Sequence, residues 1–118
     1  MVELGQLLSL PGAIAAFEFN ERGELRNQRV ASGPGKELPE SILDMVSHMC
    51  VANTAIAAMQ ARGWEYLTGA QGFYPIEGVS LVCLEWSVVS RGRFGVILDN
   101  HLADYEMAFV ALGSVDTP

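Results

Sequence analysis

Hydrophobic positions along the chain follow two rhythms. Val2, Leu4, Leu7 and Leu8 form a short helical stripe within Val2–Leu10, and Pro11 and Gly12 end it. From Ala13 to Phe19 the pattern alternates, so Ala15, Phe17 and Phe19 share one face of a strand. Asn20–Gly23 has the composition of a tight turn, in which glycine is free to take positive φ. Glu24–Val30 reads as a second strand, and its Arg, Glu, Asn and Gln side chains mark an edge protected by polarity from stray pairing.

Ala31–Glu40 is a loop, with Pro39 suited to the first turn of the helix that follows. That helix is expected to run to about Arg62, with Gly63 as its stop. The stretch GWEYLTGAQGFYPIEG, Gly63–Gly78, then reads as an irregular connection. VSLVCLEWSVVSRGRFGVILDN is dense in β-branched and aromatic residues, and breaks at Glu85–Trp86 and Arg91–Gly92 divide it into three strands. Asn100 is placed to cap a last helix, in which Leu102, Tyr105, Phe109 and Leu112 recur at helical spacing before Gly113. The order is α-β-β-α-β-β-β-α within one domain spanning residues 1–118. Five strands joined by hairpins predict an α+β fold, a five-stranded antiparallel sheet with helices on its faces.

The long helix is unusual in what it lacks. From Met45 through Ala61 it carries no Asp, Glu, Lys or Arg. Ile42, Met45, Val46, Met49, Cys50, Ala52, Ile56, Ala57 and Met59 form a broad apolar arc, wider than the stripe of an ordinary surface helix. The opposite side carries Asp44, Ser47, His48 and Thr54, then the small or apolar Val51, Ala55 and Ala58. Such a helix can bury against two layers, one being its own sheet. A chain this short has little left to supply the second, so a second copy across a two-fold axis is the economical solution. The expected contacts are Met45, His48, Met49 and Ala52, continuing through Asn53, Ala55, Ile56 and Met59, with Val51 beside them. Asn53 and Gln60 project from this arc. Asn53 either sets the register between paired helices or bonds the following loop.

Composition agrees with that need for cover. Half of the 118 residues are hydrophobic and mean hydropathy is +0.24, high for a small domain whose surface faces water. The charge-free run of 17 residues is interrupted by Ser47, His48, Asn53, Thr54 and Gln60 and falls short of the about 20 apolar residues of a spanning helix. Glu3 stands where an export signal needs positive charge, so a cytoplasmic location is expected. A net charge of −7 argues against nucleic acid or an anionic membrane as the main partner, and neither is expected. Arg22, Arg26, Arg29 and Lys36 are interleaved with Glu18, Glu21, Glu24 and Glu37, which makes a mixed surface rather than a basic patch.

Candidate chemistry is thin. Cys50 and Cys83 form no CxxC pair and read as small buried hydrophobes. Either thiol with His101 and Asp104 would complete a nucleophile set on paper only, so the chain is expected not to be an enzyme. Two histidines without ligand spacing predict no metal site, and without a phosphate-binding glycine motif no cofactor is expected. The connection after the helix concentrates Trp64, Tyr66, Phe73 and Tyr74, either packed over the core or forming an aromatic surface for a small ligand or peptide.

LLSLPGAIAAFEFNERGEL resembles the opening of roadblock-type domains, the dynein light chain seven superfamily, with its short helix, Pro-Gly turn and first hairpin. MCVANTAIAAMQARGW, LTG, the Pro75–Gly78 spacing and the final ALG resemble a small uncharacterised bacterial branch of that superfamily. The resemblance implies a three-layer fold that dimerises through the long helix and the strand after it, which adds Val79, Leu81 and Cys83 to the interface. It also implies a scaffold or regulator of a small Ras-like GTPase; the alternative, drawn from the residues themselves, is a small-ligand or peptide sensor using the aromatic Trp64–Tyr74 connection.

Overall fold

The computed structural model describes residues 2–32 and 38–115. A 3₁₀ helix, Leu4–Ser9, leads into strands β1 (Ala13–Phe19) and β2 (Leu25–Val30). Helix α1 (Glu40–Thr68) follows, then β3 (Gly78–Val82), β4 (Trp86–Arg91), β5 (Phe94–Asp99) and helix α2 (Tyr105–Leu112). All neighbouring strands are antiparallel, in the order β2-β1-β5-β4-β3. The predicted α+β class and element order hold. Part of the loop between β2 and α1, residues 33–37 with Lys36, lies outside the described residues.

The middle strands are buried on both faces, which places two cores on one sheet. Ala13, Ala16, Val89, Val96 and Leu98 pack under the 3₁₀ helix and α2, against Leu4, Leu7, Ala108 and Leu112. Ala15, Phe17, Phe19, Val88 and Ile97 pack under α1, against Leu43, Val46 and Cys50. An irregularity in register between Ala13 and Ala15 lets Ile14 and Ala15 both join the α1 side. Phe17 faces Gly95 across the β1–β5 pair, and a Cβ on Gly95 would collide with its ring. Glycine there makes room for the largest fully buried side chain of the α1 layer.

Turn chemistry explains the boundaries. Gly23 at φ 86° closes the first hairpin, where Asn20 Oδ1 accepts from the amides of Arg22 and Glu24. Gly92 at φ 61° opens the two-residue β4–β5 turn, while Arg93 has negative φ, the combination that matches strand twist.

Three end assignments differ from the sequence expectation. Helix α1 runs straight through Gly63 and ends at Thr68, with Gly69 left-handed at φ 72° and its amide bonded to the Glu65 carbonyl. Trp64–Thr68 is therefore helix, and the irregular connection is only 69–77. Pro39 is the cap of α1 rather than part of its first turn. Asn100 does not cap α2, since the cap is Asp104, whose side chain accepts from the Met107 amide, and Leu102 lies before the helix. Asn100 ties the sheet ends together instead, its Nδ2 donating to the Cys83 carbonyl at 2.7 Å and its Oδ1 accepting from Ser87.

Candidate interaction surface

Helix α1 presents its faces differently from the arc read in the sequence. Leu43, Val46, Ser47 and Cys50 are buried on the sheet, with Val51 and Thr54 half-buried beside them. Ser47, expected on the back, is fully buried because its hydroxyl donates to the Leu43 carbonyl at 2.8 Å and leaves no free polar group. Much of the apolar arc therefore points outward. Met45, Ala52, Ile56 and Met59 are exposed, Ile56 at 55% and Met59 at 72%, and Met49 is half-buried.

Those outward positions form a seam. Met45, Met49, Ala52, Ile56, Met59, Gly63 and Tyr66 recur at alternating intervals of four and three, the spacing of residues that face a partner helix. A heptad seam is narrower than the face a sheet covers, and here it lies on the side of α1 away from its own sheet. Sequence reasoning misses Gly63 and Tyr66 as members, because it takes the glycine for the helix stop. The unbroken four-three spacing past Gly63 is the signal that could have found them.

Other expected contact residues lie off this line. His48 sits on the flank toward the β1–β2 hairpin, its Cα 2.8 Å from where a Gly23 Cβ would stand. Its Nδ1 lies 2.8 Å from the Asp44 carbonyl, and Asp44 Oδ1 in turn accepts from the Leu25 amide. Val51 and Ala55 line a groove of about 320 Å³ with Phe19 and Asn20 of the same hairpin. Asn53 is half-buried and its Nδ2 donates to the Met49 carbonyl one turn back at 2.8 Å, rather than to the following loop.

Strand β3 is the other sheet edge among the described residues. Leu81 packs into the core beneath α1 and Val79 is half-buried, whereas Ser80 and Val82 are exposed. Apolar character continues into the turn, where Leu84 is 96% exposed. Unlike β2, this edge carries no charge to deter pairing.

Past Ala61, the last buried residue of α1, the helix and the 69–77 connection build an aromatic tip. Trp64 stacks on Phe73 with centroids 5.9 Å apart. Arg62 donates to the Tyr74 hydroxyl at 2.6 Å, its guanidinium carbon 4.4 Å from the centroid of that ring. Glu65 had no place in the sequence reading, yet its Oε2 accepts from the amides of Gly72, Phe73 and Tyr74 at 3.0, 3.2 and 3.4 Å. One carboxylate thereby fixes the loop. Tyr66 does not join the cluster and is 88% exposed.

The cysteines do different things from what was expected of them as a pair. Cys50 is buried, and desolvation pushes its thiol up to about 11 against a hydrogen bond with Ser90. A thiol held protonated is a poor nucleophile. Cys83 is exposed in the β3–β4 turn, not buried, because β3 ends at Val82. Asp104 is occupied as a helix cap. Among the described residues no three His, Cys, Asp or Glu side chains converge. A hollow of about 590 Å³ at the α2 end of the sheet is lined by Arg91 and Arg93, paired with Glu77 and Glu21 at 3.8 and 3.9 Å.

At 29 residues α1 is long and apolar enough to cross a membrane by length and composition, contrary to the shorter helix expected. In the fold, however, its Leu43–Cys50 face is spent on the sheet.

No protein with a curated description matches the chain in sequence. Among solved structures it is similar to the gliding protein MglB of Thermus thermophilus, with TM-score 0.69 and 14% identity over 94% of this chain and 80% of that one. A roadblock/LC7 domain from Streptomyces avermitilis gives TM-score 0.62 at 10% identity, covering 95% of this chain and 90% of the other. MglB of Myxococcus xanthus gives 0.61 at 14% identity, covering 92% and 84%. At such identities the likeness establishes the fold, which is roadblock/LC7-like. The model of the family described as uncharacterized conserved protein DUF2173 matches residues 3–114, and the chain belongs to that family.

Proposed function

We propose that the chain is a non-enzymatic homodimeric interaction module whose partner is a small Ras-like GTPase. The observation that carries the dimer is the outward seam of α1, apolar or small at every position from Met45 to Tyr66 and exposed or half-buried in the single chain. Leaving such a stripe in water forfeits burial worth about 25 cal/mol per Å², which a second copy recovers at no cost in new sequence. The uncharged β3 edge, in contact with α1, supports the same reading. The partner class rests on fold analogy with roadblock domains. A ligand sensor is less well supported, because Trp64 already stacks on Phe73 and Arg62 lies over one face of Tyr74.

Light scattering after gel filtration tests the dimer. A mass near twice 12.8 kDa is expected, falling to one chain in Ile56→Glu, which places a charge mid-seam at a position exposed in the single chain. A wild-type mass of one chain at every concentration would sink the reading. Purified Ras-like GTPase in its GDP and GTP forms tests the partner class, and a mass unchanged by either removes it.

A further inference from the structure

Away from the helical seam and the aromatic connection, three of the chain's seven basic residues meet in one place. Arg26, Arg91 and Arg93 all line the hollow of about 590 Å³ beside the C-terminal end of α2. Glu18 and Glu77 are the carboxylates of that lining, so it carries one net positive charge in a chain whose net charge is −7.

Arg91 is held in position there. Its Nη1 donates to the Phe109 carbonyl at 3.1 Å, and its guanidinium carbon lies 4.2 Å from the centroid of the Phe109 ring. Gly113 leaves it room, since a Cβ at that position would come within 2.5 Å of Nη1. The bond to Phe109 uses one N–H of the guanidinium fork and leaves the others to be filled. Neighbouring carboxylates do not fill them. Glu77 stands 3.8 Å from Arg91 and Glu21 3.9 Å from Arg93, both beyond hydrogen-bonding reach. Both glutamates are exposed, and ion pairs in water contribute little and give way to a better-placed anion. Arg26 forms no ion pair among the described residues.

The rest of the lining is largely apolar, with Phe94 and Leu112 buried and Ile76 and Val115 half-buried. A positioned guanidinium matches the two oxygens of a carboxylate, and apolar surface beside it favours a hydrocarbon body. The charge balance decides the head group. One net positive charge is met by a carboxylate, whereas the second charge of a phosphate would face Glu18 and Glu77 uncompensated. The volume is that of a cleft for a small molecule.

We propose that this hollow binds a small monocarboxylate, its head group on Arg91 and Arg93 with Arg26 beside them, and its hydrocarbon body on Ile76, Phe94, Leu112 and Val115. The site needs only one copy of the chain, so it stands or falls apart from the dimer.

Calorimetric titration of the full chain at fixed ionic strength tests it, with acetate, butyrate, hexanoate and octanoate, and with hexanamide and inorganic phosphate as controls. Saturable binding of hexanoate is expected, with affinity rising about fourfold for each CH₂ buried. Hexanamide, of the same shape without the charge, should bind at least about tenfold more weakly. Arg91 also clamps α2, so the variants are Arg26→Gln and Arg93→Gln, both at exposed positions. Combined, they should lower hexanoate affinity about tenfold with helical content unchanged, while Arg62→Gln, outside the hollow, leaves it as in wild type. No binding of any of the four carboxylates below about 10 mM would overturn the proposal. So would equal binding of hexanamide, tighter binding of phosphate, affinity indifferent to chain length, or an equal loss in Arg62→Gln.

Discussion

Cys50 shows how one buried group links packing to solution behaviour. It has no exposed surface, lying between α1 and Ser90 of β4, and burial raises its thiol from 9.0 to about 11. The sign follows directly. Between these values the unfolded chain has released the proton while the folded chain keeps it, so stability is full below pH 9 and falls as pH rises toward 11. The loss is at most about 3 kcal/mol, and no such change belongs to the neutral range. Urea unfolding of wild type and Cys50→Ala, each below pH 9 and near pH 11, isolates the effect. The stability gap between the two should shrink with pH, and a constant gap would show that the folded thiol ionises normally. Apolar neighbours in the sequence suggested burial for Cys83 as well. That inference fails because Val82, Cys83 and Leu84 are apolar yet lie on an open edge and its turn. Residue type reports that a surface avoids water and is silent on whether the cover comes from the same chain.

At the scale of elements, strands were legible to within a residue or two because two of the three hairpins carry a glycine turn signal, Gly23 and Gly92. Helix ends were less so. Gly63 and Gly69 are the same residue type six positions apart, and only the four-three spacing that runs past Gly63 favours the second as the stop. The discriminating contacts come from the following loop, whose three amides reach back to Glu65 and make the last turns worth forming. Their backbones predict opposite responses to alanine. Gly63 is mid-helix with nothing within 4 Å of an added Cβ, so Gly63→Ala should stabilise by about 1 kcal/mol. Gly69 has equally open surroundings but a φ of 72°, so Gly69→Ala should destabilise by about 1 kcal/mol. Urea midpoints measured in an Ile56→Glu background keep association out of the comparison. Shifts of the same sign in both would contradict the helix boundaries.

The whole molecule is one sheet with two cores, and its most exposed apolar elements, the α1 seam and the β3 edge, are neighbours. The class and strand count were readable from periodicity. The pairing of β1 with β5 was not, since it joins segments far apart in sequence and depends on Gly95 admitting Phe17. The candidate surface was half legible: the charge-free helix announced a second layer, but which side of α1 faced it depended on Ser47 hiding its hydroxyl in its own helix. If that second layer is another copy, folding and association are one equilibrium and stability must depend on concentration. Each tenfold rise in concentration then adds about 1.4 kcal/mol to the dimer. Two chains of 118 residues fall in the size range where 1 kcal/mol moves Tm by about 2–4 °C, so each tenfold step should raise Tm by about 3–6 °C. Ile56→Glu, with a charge in the seam, should melt at one temperature throughout. A wild-type Tm as flat as the variant's would mean the seam stays uncovered in solution, and the apolar face of α1 would then await a different protein.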